Sequence, residues 1–482
     1  VPTPILGESD RFLVVGHLPK YINEDEIYYH NEELINLAEK ENFPLPRKHY
    51  LSTVNKPMLR NDFLKFNTQK PWFPNKAALN MAKNALRRII KMACPKVIDC
   101  PVASIDEALT MAEGGAAPGY LFKRMGYTTK KQVFEQWLPQ LKDRISEVAL
   151  GKIIDTIWEA SPKVEIRSLE KIIADDISKR KQRTFLCCDV LCYIIGLMLY
   201  GKQNEILLDL SKNNNWSAVG SSIFYGGWNS IAQYFLSHKN SKGKVRCYDI
   251  SAMEASISPK LFEIIYEIRN ELLNLPESYI NFKHWFLTNK IYSQVLDIDG
   301  NLGIKIGSNP SGCINTLMDN TLVTMLILLY HLAHECDSEV QLIIKYDSLP
   351  VQAMGDDSEM SDDPLWNKLE EHALEIGFTM KPETEKHLAD ENGAVDLTNS
   401  KFLNFSFKYN VINGMWTFVP NYDKLFAGLY FYRKKNSWRL TYAKLCAMKV
   451  LCYTDDKYLR IVNYFIDYIW KYHHEDMKYE AN

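Results

Sequence analysis

One short stretch limits this chain more than any other. Val351 to Met354 is a compact apolar run, Gly355-Asp356-Asp357 supplies turn residues, and Ser358 to Met360 resumes the pattern. Two such runs around a tight glycine-containing turn read as a β-hairpin, and its tip presents two carboxylates. Carboxylates held together repel by about 4 kcal/mol per pair at 4 Å and an effective dielectric near 20, so a rigid tip of this kind is strained until a hard cation relieves it. The dipeptide alone is weak, because Asp175-Asp176, Asp362-Asp363 and Asp455-Asp456 also occur and the default for such a pair is a solvated turn or helix end. Context has to separate them.

Other local signals give that context. Val245 to Asp249 reads as a strand ending in an acid, and Ser258-Pro259 is a helix start, since serine caps and proline suits the first turn. Ser293 to Ile306 alternates around Asp299-Gly300 as a second hairpin, followed by Asn309-Pro310-Ser311-Gly312 and an apolar helical run from Cys313 to Ala333. Upstream lie a basic, Ala-rich helix at Lys76 to Ala93 and a capping box at Ser104 and Glu107 whose helix stops at Gly114-Gly115. The loop Ala116-Ala117-Pro118-Gly119-Tyr120 follows. Lys163 to Arg183 carries seven basic residues, anchored by the apolar segment Phe185 to Tyr200, which reads as a buried helix or strand. Leu365 to Ile376 is helical, and the chain after Pro420 is helical and aromatic-rich. Residues 1 to 75 read as an irregular arm.

With 482 residues and 46% hydrophobic composition, an intrinsically disordered chain is excluded. The net charge of -2 does not advertise a nucleic-acid binder, but a channel needs only local positive potential. Ten cysteines without paired spacing predict reduced thiols rather than a zinc ribbon. The longest apolar runs, Tyr193 to Tyr200 and Leu322 to Leu329, fall short of the roughly 18 residues that span a bilayer, so no transmembrane segment is expected. A start at Val1 fits a trimmed chain or a product cut from a longer polyprotein.

From about Gly115 to Phe407 the order of these elements resembles the RNA-dependent RNA polymerases of positive-strand RNA viruses, in the group of picornaviruses, caliciviruses, astroviruses and sobemovirus-like viruses. Ala117-Pro118-Gly119-Tyr120 resembles the loop that admits template, which gives Gly119 and Tyr120 an RNA-binding role. Lys163-Val164-Glu165-Ile166-Arg167 with Arg183 resembles the basic motif that grips incoming triphosphates. Asp249 with Glu254 resembles the first palm motif, where the second acid is usually aspartate and assists ribose recognition. Ser311-Gly312-Cys313 with Thr316 and Asn320 resembles the next, whose serine and asparagine help select ribose, while Gly312 contacts RNA. Met354-Gly355-Asp356-Asp357 is similar to the metal-binding turn. Gly377-Phe378-Thr379-Met380-Lys381-Pro382 and Lys386 resemble the motif whose lysine protonates pyrophosphate, with Lys386 favoured and Lys381 the alternative. Lys401-Phe402-Leu403-Asn404-Phe405 resembles the hairpin that steadies the primer end, placing Phe402 and Leu403 against RNA.

The resemblance implies an α+β right-hand polymerase with fingers, a palm of antiparallel sheet flanked by helices, and a small helical thumb. Its expected segments are an arm and fingers over 1–244, palm over 245–259, a fingers or palm insertion over 260–305, palm over 306–410 and thumb over 411–482. The arm would bridge fingers and thumb. It implies nucleotidyl transfer from ribonucleoside triphosphates with two Mg²⁺ ions, Mn²⁺ as a substitute, held by Asp249, Asp356 and the supporting Asp357. Implied partners are RNA template, primer or product duplex, a viral protein primer and other replication proteins. The implied place is the host cytoplasm, within viral replication complexes. A short thumb suits a primed start. The competing readings are a reverse transcriptase, disfavoured by polar Glu254 and Asn320 where an aromatic gate is typical, and a non-catalytic RNA-binding palm, which gives no reason to crowd carboxylates.

Three further patterns read as ordinary structure. Asp297, Asp299 and Asn301 mimic a calcium loop, but Leu302 and Ser308 stand where glycine and glutamate are required. His331, His334 and Cys336 lie close along the chain, yet on an apolar helix such residues pack or cap, and a fourth ligand is missing. Lys83, Arg87, Arg88 and Lys91 form a basic helix face that is either solvated or set against phosphates.

Overall fold

The computed structural model describes residues 11–26, 28–67, 70–176, 179–180, 182–213, 216–384, 387–434 and 436–477. They form two compact units. The first gathers residues up to 20, 63–161 and 185–403, and the second gathers 21–62, 162–184 and 404–482.

The first unit contains two five-stranded sheets. In one, Phe12–His17, Asn301–Ile306, Tyr292–Leu296, Ile157–Pro162 and Thr184–Cys187 lie side by side in that order. The hairpin expected around Asp299-Gly300 is its centre, and Asn301–Ile306 buries alternate residues as a one-faced strand must. The other sheet is antiparallel, in the order Val351–Met354, Asp357–Ser361, Lys244–Ile250, Met380–Pro382, with Val395–Asp396 beside the start of Lys244–Ile250. Helix Thr316–Ala333 packs on Val351–Met354, Leu369–Glu375, Glu339–Ser348 and Lys76–Ala93. It is long and apolar enough to cross a membrane, but its surroundings inside the unit explain that composition, with 83% of the apolar window buried.

Local chemistry sets the element ends. Asn75 caps Lys76–Ala93 by accepting from Ala77 and Ala78, Ser258 caps Pro259–Glu271, and the Ser104–Glu107 capping box is formed at both of its bonds. Much of the basic face of Lys76–Ala93 is engaged by carboxylates. Lys83 and Arg87 each lie 3.0 Å from Glu267, and Arg87 and Lys91 reach Glu271 at 2.8 and 2.6 Å, tying the helix to Pro259–Glu271. Phe185–Tyr200 resolves into strand Thr184–Cys187 and helix Val190–Leu207, capped by Asp189.

The second unit is built on helices Tyr422–Tyr430, Trp438–Leu451 and Asp456–Tyr472. Its core joins Phe426, Tyr430, Leu445, Val462 and Phe465 to Leu34 and Ala38 of helix Glu32–Lys40. The expectation of an irregular arm over 1–75 is therefore corrected. Glu32–Lys40 is capped by Asn31 and buries one face among the C-terminal helices, a partnership no local window of sequence could reveal. His49–Leu51 pairs with Ile166–Ser168, so the basic segment is partly strand rather than loop, and Phe405–Asn410 pairs with Met415–Pro420.

Candidate active site

Strand Lys244–Ile250 delivers Asp249 to the end of its sheet, where it pairs directly with Asp357 on one side and Lys381 on the other. Directly paired antiparallel residues project to the same face, so these three side chains share a rim. Carboxylate oxygens of Asp249, Asp357 and Glu383 lie within 4.8 Å of one another. The Ile250 N–H donates to the Asp356 carbonyl at 3.1 Å, and Asp356 sits half-buried on the turn. Gly355 holds φ at 66°, a left-handed conformation that favours glycine. Its N–H donates to Thr321 Oγ1 at 2.9 Å and its carbonyl accepts from Thr324 Oγ1 at 2.6 Å, bolting the turn to helix Thr316–Ala333. The sequence reading put Asp356 first and Asp357 in support. The structure brings an oxygen of Asp357 close to Asp249 and to Glu383, a residue that reading missed, with Asp356 on the same turn. The available signal for Glu383 was its place two residues beyond Lys381, on the same face of an extended segment.

Three hard-oxygen donors this close fit a divalent cation of the Mg²⁺ or Mn²⁺ type, and mutual repulsion disfavours leaving them uncompensated. Lys381 is exposed on the same rim, while Lys386 lies outside the described residues.

Glu254, five residues after Asp249, carries a polar network. Its carboxylate accepts from Lys65 Nζ at 2.7 Å, and its backbone carbonyl accepts from the Asn309 N–H at 2.6 Å. Asn309 is fully buried and donates its side-chain amide to Asn320 Oδ1 at 2.7 Å, leaving its own Oδ1 without a hydrogen bond. Glu254 and Asn320 are thus joined through one residue. Glutamate here, rather than the shorter acid of the resembling polymerases, has the reach to meet Lys65. Thr316 spends its hydroxyl on the carbonyls of Pro310 and Cys313 at 2.7 and 2.8 Å, fixing the loop. Ser311 Oγ accepts from the Leu186 N–H at 3.2 Å. A Cβ on Gly312 would meet the Leu186 carbonyl at 2.3 Å, so Gly312 permits close approach to strand Thr184–Cys187. This loop and Ala116-Ala117 wall one cleft of about 670 Å³ that Lys130 also lines.

Beneath Asn320 lies a buried charge cluster absent from the sequence reading. Asp319, fully buried, pairs with Arg269 at 2.5 Å and with Lys290, and accepts from the Tyr266 hydroxyl at 2.9 Å. Burial alone would push the Asp319 carboxyl up, but Lys290 and Arg269 outweigh it and hold it below the usual range. Asn315 donates to the same Tyr266 hydroxyl at 3.0 Å, so the cluster anchors the Ser311–Asn315 loop from below.

In the second unit, Arg167 and Arg183 line a polar pocket of about 370 Å³ with His49, Lys171 and Lys424. The Lys163 N–H donates to the Arg183 carbonyl at 2.8 Å, and Glu165 lies 3.5 Å from Lys163 and 3.6 Å from Arg183. The three basic residues expected to grip phosphate are therefore neighbours.

Some expected RNA contacts are corrected. Phe402 is 1% exposed and stacks on Trp228, so it is a core group. Leu403 is half-buried in a left-handed turn, and strand pairing begins only at Phe405. The Tyr120 ring is buried, with its hydroxyl donating to the Pro19 carbonyl at 2.7 Å, and Gly119 packs on the Asp189 backbone. The Tyr120 and Phe402 side chains thus pack into the fold rather than face a ligand.

A family model described as viral RNA-dependent RNA polymerase matches residues 75–468. The chain belongs to that family. Among related sequences, the genome polyprotein of Beet mosaic virus is 28% identical over 342 residues, covering 68% of this chain and 10% of the polyprotein. That of Turnip mosaic virus (strain Japanese) is 30% identical over 234 residues, covering 47% and 7%. The chain thus spans about a tenth or less of these two polyproteins. Among solved structures, the Sicinivirus 3Dpol RNA-dependent RNA polymerase superposes with a TM-score of 0.71 at 15% identity, covering 97% of this chain and 100% of that one. This member of the family therefore has the right-hand α+β fold class expected from its sequence.

Proposed function

We propose that this chain copies viral RNA by template-directed transfer of nucleotides from ribonucleoside triphosphates, as a segment of a genome polyprotein. The observation that carries the reading is the opposition of Asp249 and Asp357 at adjacent strand ends with Glu383 alongside, within a chain of the viral polymerase family. In this reading Asp249, Asp357 and Glu383, with Asp356 on the turn, hold two Mg²⁺ ions, which Mn²⁺ can replace. When bound, such ions supply charge stabilisation for the attacking 3′-oxygen and the departing pyrophosphate.

The chain's own residues bind, orient and protonate. Lys163, Arg167 and Arg183 match the negative charge of a triphosphate with point-charge and forked contacts. Glu254 and Asn320, joined through Asn309, present acceptor and donor groups suited to a ribose hydroxyl. Lys381, on the Asp249 face, or Lys386 delivers a proton to pyrophosphate. The small C-terminal helical unit supports a primed start, from a viral protein or an oligonucleotide. A host cytoplasmic replication complex is the proposed setting.

Primer extension tests the reading, using RNA and DNA templates with ribo- or deoxyribonucleotides and Mg²⁺ or Mn²⁺. Extension by ribonucleotides on RNA, abolished in Asp357→Asn with the fold retained, is the expected result. Near-normal elongation by that variant, or preference for deoxyribonucleotides, would overturn it.

A further inference from the structure

A second cluster of ligating side chains shares no residue with the carboxylate rim. Helix Thr316–Ala333 ends at His334, about 20 Å along the axis from Asn320. Helix Leu369–Glu375 sets His372 and Glu375 three residues apart, on one face. One ligand atom each from His334, His372 and Glu375 lies within 4.8 Å of the others. Tetrahedral zinc with bonds of about 2.0–2.1 Å needs roughly 3.4 Å between ligands, so the gap to close is small. Cys336, the thiol the sequence placed near His331 and His334, is not in this group.

The hydrogen bonds fix which nitrogens carry lone pairs. His331 Nε2 lies 2.5 Å from the Leu365 carbonyl, which can only accept, so His331 carries its proton on Nε2. Its Nδ1 is then an acceptor, and His372 Nδ1, 2.9 Å away, must donate to it. That leaves the lone pair of His372 on Nε2. His334 Nε2 is buried without a hydrogen bond, 3.5 Å from Glu375 Oε2. Glu375 is in turn held by the Tyr330 hydroxyl, which also accepts from the Asn75 N–H at 2.9 Å. An imidazole whose far N–H is held by an acceptor, and a carboxylate held by a hydroxyl, form the outer shell that metal ligands require. The His334 and His372 rings stack at 3.8 Å, so His334 must turn about its soft χ2 to aim its lone pair. With 15% of its side chain exposed, His334 has room to turn.

We propose that His334, His372 and Glu375 form a structural Zn²⁺ site that clamps the end of helix Thr316–Ala333 to helix Leu369–Glu375, with His331 as outer-shell support. That second helix leads into the strand carrying Lys381, so the clamp would steady the segment flanking the carboxylate rim.

The test uses untagged full-length protein stripped with chelator. Zn²⁺ is titrated against a chromogenic competitor, and Co²⁺ reports coordination by visible absorption. Wild type and Asp357→Asn should each bind one equivalent and show an intense four-coordinate Co²⁺ band. His334→Ala should lose both while keeping the wild-type melting temperature in chelator, and His331→Phe should weaken binding by roughly 10–100-fold. The proposal is overturned if wild type takes up no stoichiometric zinc, if folded His334→Ala binds like wild type, or if Asp357→Asn rather than His334→Ala removes the site.

Discussion

Glu359 offers the sharpest test of how the catalytic sheet is held together. It lies on strand Asp357–Ser361, two residues from Asp357, fully buried and paired directly with Cys247. The Cys247 thiol reaches Glu359 Oε1 at 3.6 Å, and Oε2 has no hydrogen bond. Burial pushes the carboxyl up to about 7 from an ordinary 4.5, with Ser400 and Cys247 only partly offsetting it. The folded state therefore favours the protonated form. Below pH 4.5 both states are protonated and there is no penalty. As pH rises through 7 the folded protein must either ionise a buried group or retain a proton the unfolded chain has released, and it loses about 3 kcal/mol in total, of which roughly 1 kcal/mol falls between pH 6 and 8. Glu359→Gln removes this component while leaving every other titration in place. Urea unfolding of both proteins at pH 6 and 8, followed by emission of the buried Trp216, Trp228 and Trp366, reads the double difference. Wild type should lose about 1 kcal/mol more than the variant, and any fixed cost of burying an amide cancels. Identical pH dependence would refute the idea that Glu359 is held neutral.

Other outcomes follow from the same geometry. Asp249→Asn and Asp357→Asn should each remove nearly all primer extension with the melting temperature within a few degrees of wild type, whereas Glu383→Gln should retain turnover but shift its Mg²⁺ dependence to higher concentration. Lys65→Met removes the partner of Glu254, and the ratio of ribo- to deoxyribonucleotide incorporation should fall without a matching loss of folding. Asp319→Asn leaves Arg269 and Lys290 buried without an anion, at an expected cost of about 3–5 kcal/mol in denaturant unfolding. The stability that Asp319 confers is present above the usual aspartate range and is lost as pH falls through its depressed pKa, so the variant should flatten the acid limb of the unfolding curve.

What could be read from the sequence divides by the range of the interaction. The hairpin at Gly355, the caps at Ser104 and Ser258 and helix Lys76–Ala93 are written within a few consecutive residues, and all form where expected. The motif order carried the fold class, and it singled out Asp249 and Asp356, with Asp357 in support, as the acids of the site. Glu383, Lys65 and Asp319 escape a local reading for a different reason. Each acquires its part from a residue far along the chain: Glu383 through a strand laid beside Lys244–Ile250, Lys65 through Glu254, and Asp319 through Arg269 and Lys290. A solitary acid in an apolar helical run was the one local hint of that last cluster, since an aspartate at such a position must be paired or protonated. Burial also reverses the roles of Tyr120 and Phe402, because a resemblance transfers a position, while packing decides whether its side chain faces a ligand or the core. The residues that shape the rim are thus local in sequence. Those that tune its charge are distant.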